Sequence, residues 1–68
     1  MTLEVGNIIK ITDPNCPEYP RIGAIKDIVN GHPMLGLRYT VALYGVDGKP
    51  QEEVDFYGCE ISKWEKGM

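Results

Sequence analysis

The chain has 68 residues, 43% of them apolar, and a formal net charge of −3. A chain of this length is expected to form one domain over residues 1–68, and it cannot both enclose a deep pocket and fill a core, which disfavours an enzyme. The acidic balance also disfavours nucleic-acid binding, because a negatively charged surface repels phosphate.

Charge is distributed unevenly along the chain. Residues 1–38 carry four basic and four acidic side chains, whereas residues 39–68 carry three basic and six acidic ones. A local basic face could therefore form in the first half from Lys10, Arg21, Lys26 and Arg38. The N-terminal residues lack the basic and apolar regions of a secretory signal, and no apolar run reaches the roughly 20 residues that span a membrane. We expect a cytoplasmic protein that makes no membrane contact.

The N-terminal segment predicts a strand followed by a stiff loop. In residues 3–12, period-two alternation places Val5, Ile9 and Ile11 on one face of the strand. Residues 12–20 contain three prolines, which fix φ and remove backbone donors, so this loop cannot join a sheet ladder. We expect the loop to hold its side chains in place at the surface.

Residues 21–29 predict a long second strand with interrupted alternation. Ile22 and Ile28 share a parity that Ile25 lacks. A β-bulge near Lys26 would explain this pattern, because a bulge re-aims the inward face of a strand. A bent strand of this kind can serve both halves of a small barrel.

Two glycines mark further features of this region. Gly23 predicts a close approach of another backbone, where we expect the first loop to fold back. The Asn-Gly turn signal at Gly31 opens a second loop. Because Met34, Leu35 and Leu37 are too apolar to be all exposed, we expect some of them to cap one end of the barrel.

A β-hairpin is predicted in the second half of the chain. Residues 38–46 and 49–57 predict strands three and four, and Asp47-Gly48 is typical of a two-residue hairpin loop. With that loop, the numbers of paired residues sum to 95. Two apolar pairs then share one face, as a half-buried hairpin requires: Val41 with Val54, and Tyr39 with Phe56.

The other face of this hairpin is predicted to be polar. It pairs Thr40 with Asp55, Ala42 with Glu53, and Tyr44 with Gln51. Leu43, opposite Glu52, lies near the predicted hairpin tip, where we expect burial to fade.

The last elements complete an order that resembles a known fold. Residues 57–60 predict one 3₁₀ turn, residues 61–64 a short final strand, and residues 65–68 a frayed end. Five short strands with a long first loop and this turn before the last strand resemble the SH3-like small barrel over nearly the whole chain. The expected fold class is an all-β, five-stranded SH3-like barrel.

Two shorter segments also resemble known families. Residues 5–11 followed by residues 21–25 resemble the strand-loop-strand pattern of KOW-type barrels and of small SH3-like accessory subunits of photosynthetic and redox complexes. Residues 42–47 resemble the Ala-Leu-Tyr-Asp-Tyr signature of proline-binding SH3 domains. That signature lies near the N-terminus in its family, whereas here it lies on strand three, so we do not expect a groove for proline-rich ligands.

No catalytic, metal or cofactor site is predicted. The soft ligands Cys16, Cys59 and His32 form no closely spaced pair, whereas a structural zinc site needs four ligands. His32 has no serine near it in sequence, and Glu52 and Glu53 project to opposite faces of a strand. We expect two free thiols, which could lie close together if strands one and five are adjacent.

Aromatic and arginine side chains provide the predicted binding site, because they dominate binding hot spots. The partner-binding candidates are Tyr19, Arg21, Tyr44, Tyr57 and Trp64, together with Asp13, from which the stiff first loop runs to Arg21. The alternative is that Trp64 covers the open edge of the barrel and the tyrosines are incidental.

The leading hypothesis is a non-catalytic module that binds another protein or acts as its accessory. The KOW-type resemblance implies an alternative, the binding of RNA or single-stranded DNA. That alternative would use the four basic side chains of the first half, with Tyr19 stacking on a base.

Overall fold

The computed structural model describes residues 3–64, so the frayed end predicted for residues 65–68 lies outside the described residues. The elements are β1 (Ile8–Ile11), β2 (Ile22–His32), β3 (Gly36–Tyr44), β4 (Pro50–Tyr57), a 3₁₀ turn (Gly58–Glu60) and β5 (Ile61–Lys63). All pairings are antiparallel, in one sheet of order β4-β3-β2-β1-β5. The all-β class, the five strands and the 3₁₀ turn before the last strand are therefore confirmed, while the pairings do not close the sheet. Within residues 3–64 no helix has the length and apolar character needed to cross a membrane.

The core lies on one face of this curved sheet and draws on all five strands. Its buried side chains are Ile9, Ile11, Ile25, Tyr39, Val41, Leu43, Phe56 and Ile61. The predicted burial of Tyr39 and Phe56 is confirmed. The expectation for Leu43 is wrong, because this side chain is fully buried. It pairs with Gly23 on β2 as well as with Glu52 on β4, and so lies inside the sheet rather than at a fading tip.

β1 is shorter than predicted. Glu4 and Asn7 close a turn in which the Asn7 backbone N–H donates to the Glu4 carbonyl at 3.0 Å and Asn7 Oδ1 accepts from the Glu4 N–H at 2.9 Å. Gly6 in this turn has a φ of +95°. The strand therefore begins at Ile8, and Val5 is 60% exposed instead of sharing the core face.

The predicted bulge in β2 is confirmed. Ile25 pairs with Val41 on β3, but the next pair is Asp27 with Thr40, so Lys26 has no partner across the ladder. An extra residue reverses the alternation. This explains why Ile25 and Ile28, which differ in parity, both pack against the core.

Gly23 is a point of close approach, as predicted. A Cβ atom there would lie 2.5 Å from the Ala42 carbonyl oxygen and 2.6 Å from Val41 Cγ1. The approaching backbone belongs to β3, whereas we expected the first loop.

The β3–β4 register is confirmed for the pairs from Arg38–Tyr57 to Leu43–Glu52, all of which sum to 95. The predicted two-residue loop is wrong. The Gly45 N–H donates to the Lys49 carbonyl at 2.9 Å, and Gly48 has a φ of +79°, which together define a three-residue loop with a left-handed glycine. Tyr44 consequently pairs with Pro50 instead of Gln51.

The β2–β3 connection is a long hairpin rather than a loop that caps the core. Its strands continue to His32 and from Gly36, and they leave a turn over residues 33–35. Met34 is 86% exposed, and Leu35 and Leu37 are exposed as well. The expectation that these apolar side chains cap a barrel end is therefore wrong.

Candidate functional site

The sheet has a second face that points away from the core, and its register brings apolar side chains together. Ile8 alternates with the buried Ile9, so it points to this outer face. Ile22, opposite Lys10 on β1, has the same orientation. Tyr44 follows Leu43, which pairs with Gly23 on β2. Tyr44 therefore points to the outer face and lies next to Ile22.

These side chains form a groove of about 420 Å³. We call it the Arg21 groove, and its lining residues are Ile8, Pro20, Arg21, Ile22, Tyr44, Gly45 and Trp64. Five of the seven are apolar or aromatic, and the arginine stands at one wall. The groove can therefore receive an apolar group from another molecule.

Trp64 is held at the groove by the backbone. Its N–H donates to the Ile8 carbonyl at 2.9 Å, which continues the β1–β5 ladder one step past Lys63. The residue remains 39% exposed. The structure therefore fixes where the backbone of Trp64 lies and leaves part of the residue open to a ligand.

Arg21 is tied to the β3–β4 hairpin by three acceptors. Its Nη1 donates to Glu52 Oε1 at 2.7 Å, and its Nη2 donates to Gln51 Oε1 at 3.2 Å and to the Tyr44 carbonyl at 3.3 Å. The guanidinium is thus oriented before any ligand arrives. The carboxylate of Glu52 offsets its charge, so the groove does not expose a free cation at this wall.

Gly45 makes room for this arrangement. A Cβ atom at Gly45 would lie 2.4 Å from both Cδ and Nε2 of Gln51. A side chain at this position would displace the Gln51 amide, which accepts from Arg21. Because Gly45 has no side chain, the Gln51 amide can stay where it accepts from Arg21.

The proline-containing first loop delivers Pro20 and Arg21 to the groove. Its backbone is folded by successive turns, in which Cys16 N–H donates to the Asp13 carbonyl at 3.1 Å and Arg21 N–H donates to the Glu18 carbonyl at 2.9 Å. The Tyr19–Pro20 peptide bond is cis. Hydrogen bonds within the loop thus replace the sheet ladder that its prolines prevent.

The same loop is anchored to the 3₁₀ turn. The Glu60 carbonyl accepts from the N–H groups of Thr12 at 3.0 Å and Asp13 at 3.4 Å. The Glu60 carboxylate accepts from the Tyr57 N–H at 2.8 Å, which caps the turn. The first loop and the 3₁₀ turn therefore hold each other in place, although 48 residues separate Thr12 from Glu60.

The structure brings together three of the six predicted binding residues: Arg21, Tyr44 and Trp64. Tyr19 is exposed in the preceding loop but does not line the groove. Tyr57 lies elsewhere, since its Cε1 would be 3.0 Å from a Cβ atom at Gly31 in the β2–β3 hairpin.

Asp13, the remaining candidate, belongs to a separate cluster with Cys16 and Glu60, whose possible ligand atoms lie within 4.8 Å of one another. Cys16 Sγ donates to Glu60 Oε2 at 3.2 Å. Desolvation, this hydrogen bond and the negative charges of Glu60, Asp13 and Glu18 raise the pKa of the Cys16 thiol from 9.0 to about 11. A metal ion at this cluster would have to displace the thiol proton that Cys16 donates to Glu60. Both cysteines are free thiols.

Sequence reasoning missed four groove residues: Ile8, Pro20, Ile22 and Gly45. The alternation in β1 does place Ile8 on the face opposite Ile9. Its proximity to Ile22 and Tyr44, however, depends on the β1–β2 and β2–β3 registers, which no short-range turn signal specifies.

The predicted basic face is only partly available. Arg21 is paired with Glu52, and Arg38 Nε lies 3.6 Å from Asp55 Oδ2. Lys26 lines a depression with Glu52 and Glu53. Carboxylates therefore lie next to three of the four basic side chains, which lowers the positive potential that a phosphate backbone would meet.

Comparisons of the chain with protein families, with curated proteins and with solved structures found no match.

Proposed function

We propose that the chain is an SH3-like, non-catalytic module that binds another protein through the Arg21 groove. The observation that carries this proposal is the lining of the groove, where the apolar residues Ile8 and Ile22 lie together with the aromatic residues Tyr44 and Trp64. Tyrosine and tryptophan are enriched at binding hot spots, and side chains already held in place on a sheet lose little conformational entropy when they are covered.

The strand order supports the SH3-like part of the proposal. β2 pairs with β1 through its first residues and with β3 along nearly its whole length, and the bulge at Lys26 bends it between these roles. A long, bent second strand shared in this way is what the SH3-like arrangement of the sequence elements implies.

The groove favours a partner that offers an apolar side chain. Arg21 already has three acceptors within the chain, so a negatively charged ligand would have to compete with Glu52. An apolar side chain needs no such exchange and gains about 25 cal/mol for each Å² removed from water. The partner is therefore expected to be a protein segment with a Leu, Met or aromatic anchor.

A peptide-display selection tests this proposal directly. Peptides should be enriched on the wild-type chain with a shared apolar or aromatic anchor, and enrichment should be lost on Trp64→Ala. The matched control is Val46→Ala, which removes an exposed apolar side chain outside the groove. Backbone amide shifts of Ile8, Ile22 and Trp64 on titration with an enriched peptide would locate binding. Peptides that bind Trp64→Ala as well as wild type would refute the groove as the binding site.

Binding of RNA or single-stranded DNA remains the alternative function, with weaker support because two of its four basic residues are paired with carboxylates. Fluorescence anisotropy of labelled oligo-uridine and oligo-thymidine at low salt distinguishes the two. Salt-dependent binding that is lost on Lys10→Ala would favour the nucleic-acid function.

A further inference from the structure

The tip of the β2–β3 hairpin is an apolar surface that the proposed function does not use. Residues 28–37 contain no Asp, Glu, Lys or Arg, although a quarter of the chain consists of these residues. Within this stretch Met34 is 86% exposed, Leu35 52% and Leu37 42%. An exposed apolar patch at the end of a projecting hairpin is typical of a contact surface.

The hairpin tip and the Arg21 groove lie at opposite ends of the same two strands. β2 begins beside the groove at Ile22 and ends at the tip with His32. β3 begins at the tip with Gly36 and ends at the groove with Tyr44. The tip of one copy therefore cannot fill its own groove, but it can reach the groove of another copy placed head to tail.

Charge permits this contact between two chains that each carry a net charge of −3. The tip brings no carboxylate to the groove, and the groove wall presents Arg21 with its charge already matched by Glu52. The carboxylate that lies next to the groove, Glu52, is itself neutralised by Arg21. Apolar side chains can therefore meet without the repulsion that two acidic proteins otherwise experience.

We infer that the hairpin tip of a second copy of this chain, with Met34 and Leu35 as its anchors, occupies the Arg21 groove. This inference rests on the proposed function and names the partner. The three exposed apolar side chains of one tip make a patch smaller than the area of about 800 Å² that stable complexes bury on each partner. Two copies that each insert a tip into the groove of the other bury two such patches. We therefore expect a weak, concentration-dependent association.

Sedimentation equilibrium from micromolar to millimolar protein tests the inference with two variants. Met34→Asp places a charge on the tip, and Trp64→Ala removes an aromatic side chain that lines the groove. The wild-type average mass should rise with concentration, and each variant alone should remain monomeric. An equimolar mixture should form a one-to-one dimer that is weaker than the wild-type one, because one variant keeps an intact groove, the other an intact tip, and only one such contact can form.

The matched control is Val46→Asp, which adds the same charge to an exposed apolar position on the other hairpin and should associate like wild type. If Trp64→Ala does not fold by circular dichroism, Tyr44→Ala serves as the groove variant. A wild-type chain that stays monomeric at millimolar concentration would overturn the inference, as would association that survives both variants. Either result leaves the proposed function to be decided by the Trp64-dependence of the selected peptides.

Discussion

Arg21 and Glu52, thirty-one residues apart, join the end of the first loop to β4 through a 2.7 Å hydrogen-bonded ion pair. The pair lies at one wall of the groove, and both side chains are partly exposed. Its geometry fixes how the loop meets the β3–β4 hairpin. The pair is therefore expected to contribute more to the shape of the groove than to the overall stability.

A double-mutant cycle measures the strength of this pair. For Arg21→Ala, Glu52→Ala and the double variant, we expect a coupling free energy of about 0.5–1 kcal/mol by urea unfolding, since exposed ion pairs are weakened by solvent. The matched control is Arg38 with Asp55, which is longer at 3.6 Å and has the more exposed arginine, and should give a coupling near zero. Equal coupling in the two cycles would contradict this interpretation.

Gly23→Ala should destabilise the fold strongly. The new Cβ atom would meet the Ala42 carbonyl oxygen at 2.5 Å, and backbone cannot move aside as a flexible side chain can. Overpacking of this kind costs about 1–3 kcal/mol, a large share of the roughly 3–5 kcal/mol available to a domain of this size.

Gly58→Ala is the matched control for this substitution, because its nearest contact would be Tyr39 Cε2 at an ordinary 3.6 Å. Thermal unfolding followed by circular dichroism compares the two variants. A Gly23→Ala protein that melts at the same temperature as Gly58→Ala would show that β2 and β3 are not as close as described.

Leu43→Ala should cost about 2–5 kcal/mol, because truncating a fully buried leucine removes apolar contacts and leaves a cavity. Val46→Ala, at a fully exposed position three residues later, should stay within about 0.5 kcal/mol of wild type. Urea midpoints at constant m-value measure both. A small effect at Leu43 would support the sequence-based expectation that burial fades there.

Cys16 should react slowly with alkylating reagents. With a pKa raised from 9.0 to about 11, its thiolate fraction at pH 8 falls about 100-fold, and the greater nucleophilicity of the more basic thiolate recovers about tenfold. Iodoacetamide should therefore modify Cys59→Ser, which keeps Cys16, at least about tenfold more slowly than a free thiol of pKa 9.0. Glu60→Gln should speed the reaction, and an unchanged rate would contradict the role of the carboxylate.

The same group makes stability depend on pH in the alkaline range. Because the folded-state pKa lies above the unfolded one, the protonated thiol favours the folded state below pH 9, and this contribution is lost as the pH rises through about 11. Wild type should lose stability over this range relative to Cys16→Ser. Parallel pH profiles of the two proteins would contradict the prediction.

The sequence predicts local features of this fold well and distant ones poorly. The six pairs from Arg38 to Leu43 follow from alternation on both strands, and the bulge at Lys26 follows from a break in that alternation. The three-residue loop was missed because Asp47-Gly48 fits both a two-residue loop and a longer loop that ends in a left-handed glycine.

The residues of the groove are likewise predicted only in part from the sequence. Residue type predicts Arg21, Tyr44 and Trp64 as binding residues, and the fold brings them together. Tyr57 is of an equally suitable type, yet the strand register places it near Gly31 in the β2–β3 hairpin. Residue type can nominate a binding residue, whereas three-dimensional register decides which of the nominees are neighbours.

The bulge in β2 also bears on how the length of this chain can vary. Because Lys26 is the unpaired residue, its deletion would leave Ile25 opposite Val41 and Ile28 opposite Tyr39, with every inward side chain still inward. Deleting a paired neighbour such as Ala24 would instead turn part of the strand inside out. Position 26 is therefore a site where a shorter relative of this protein could lose a residue and keep its core, while giving up the bend that separates the two halves of the sheet.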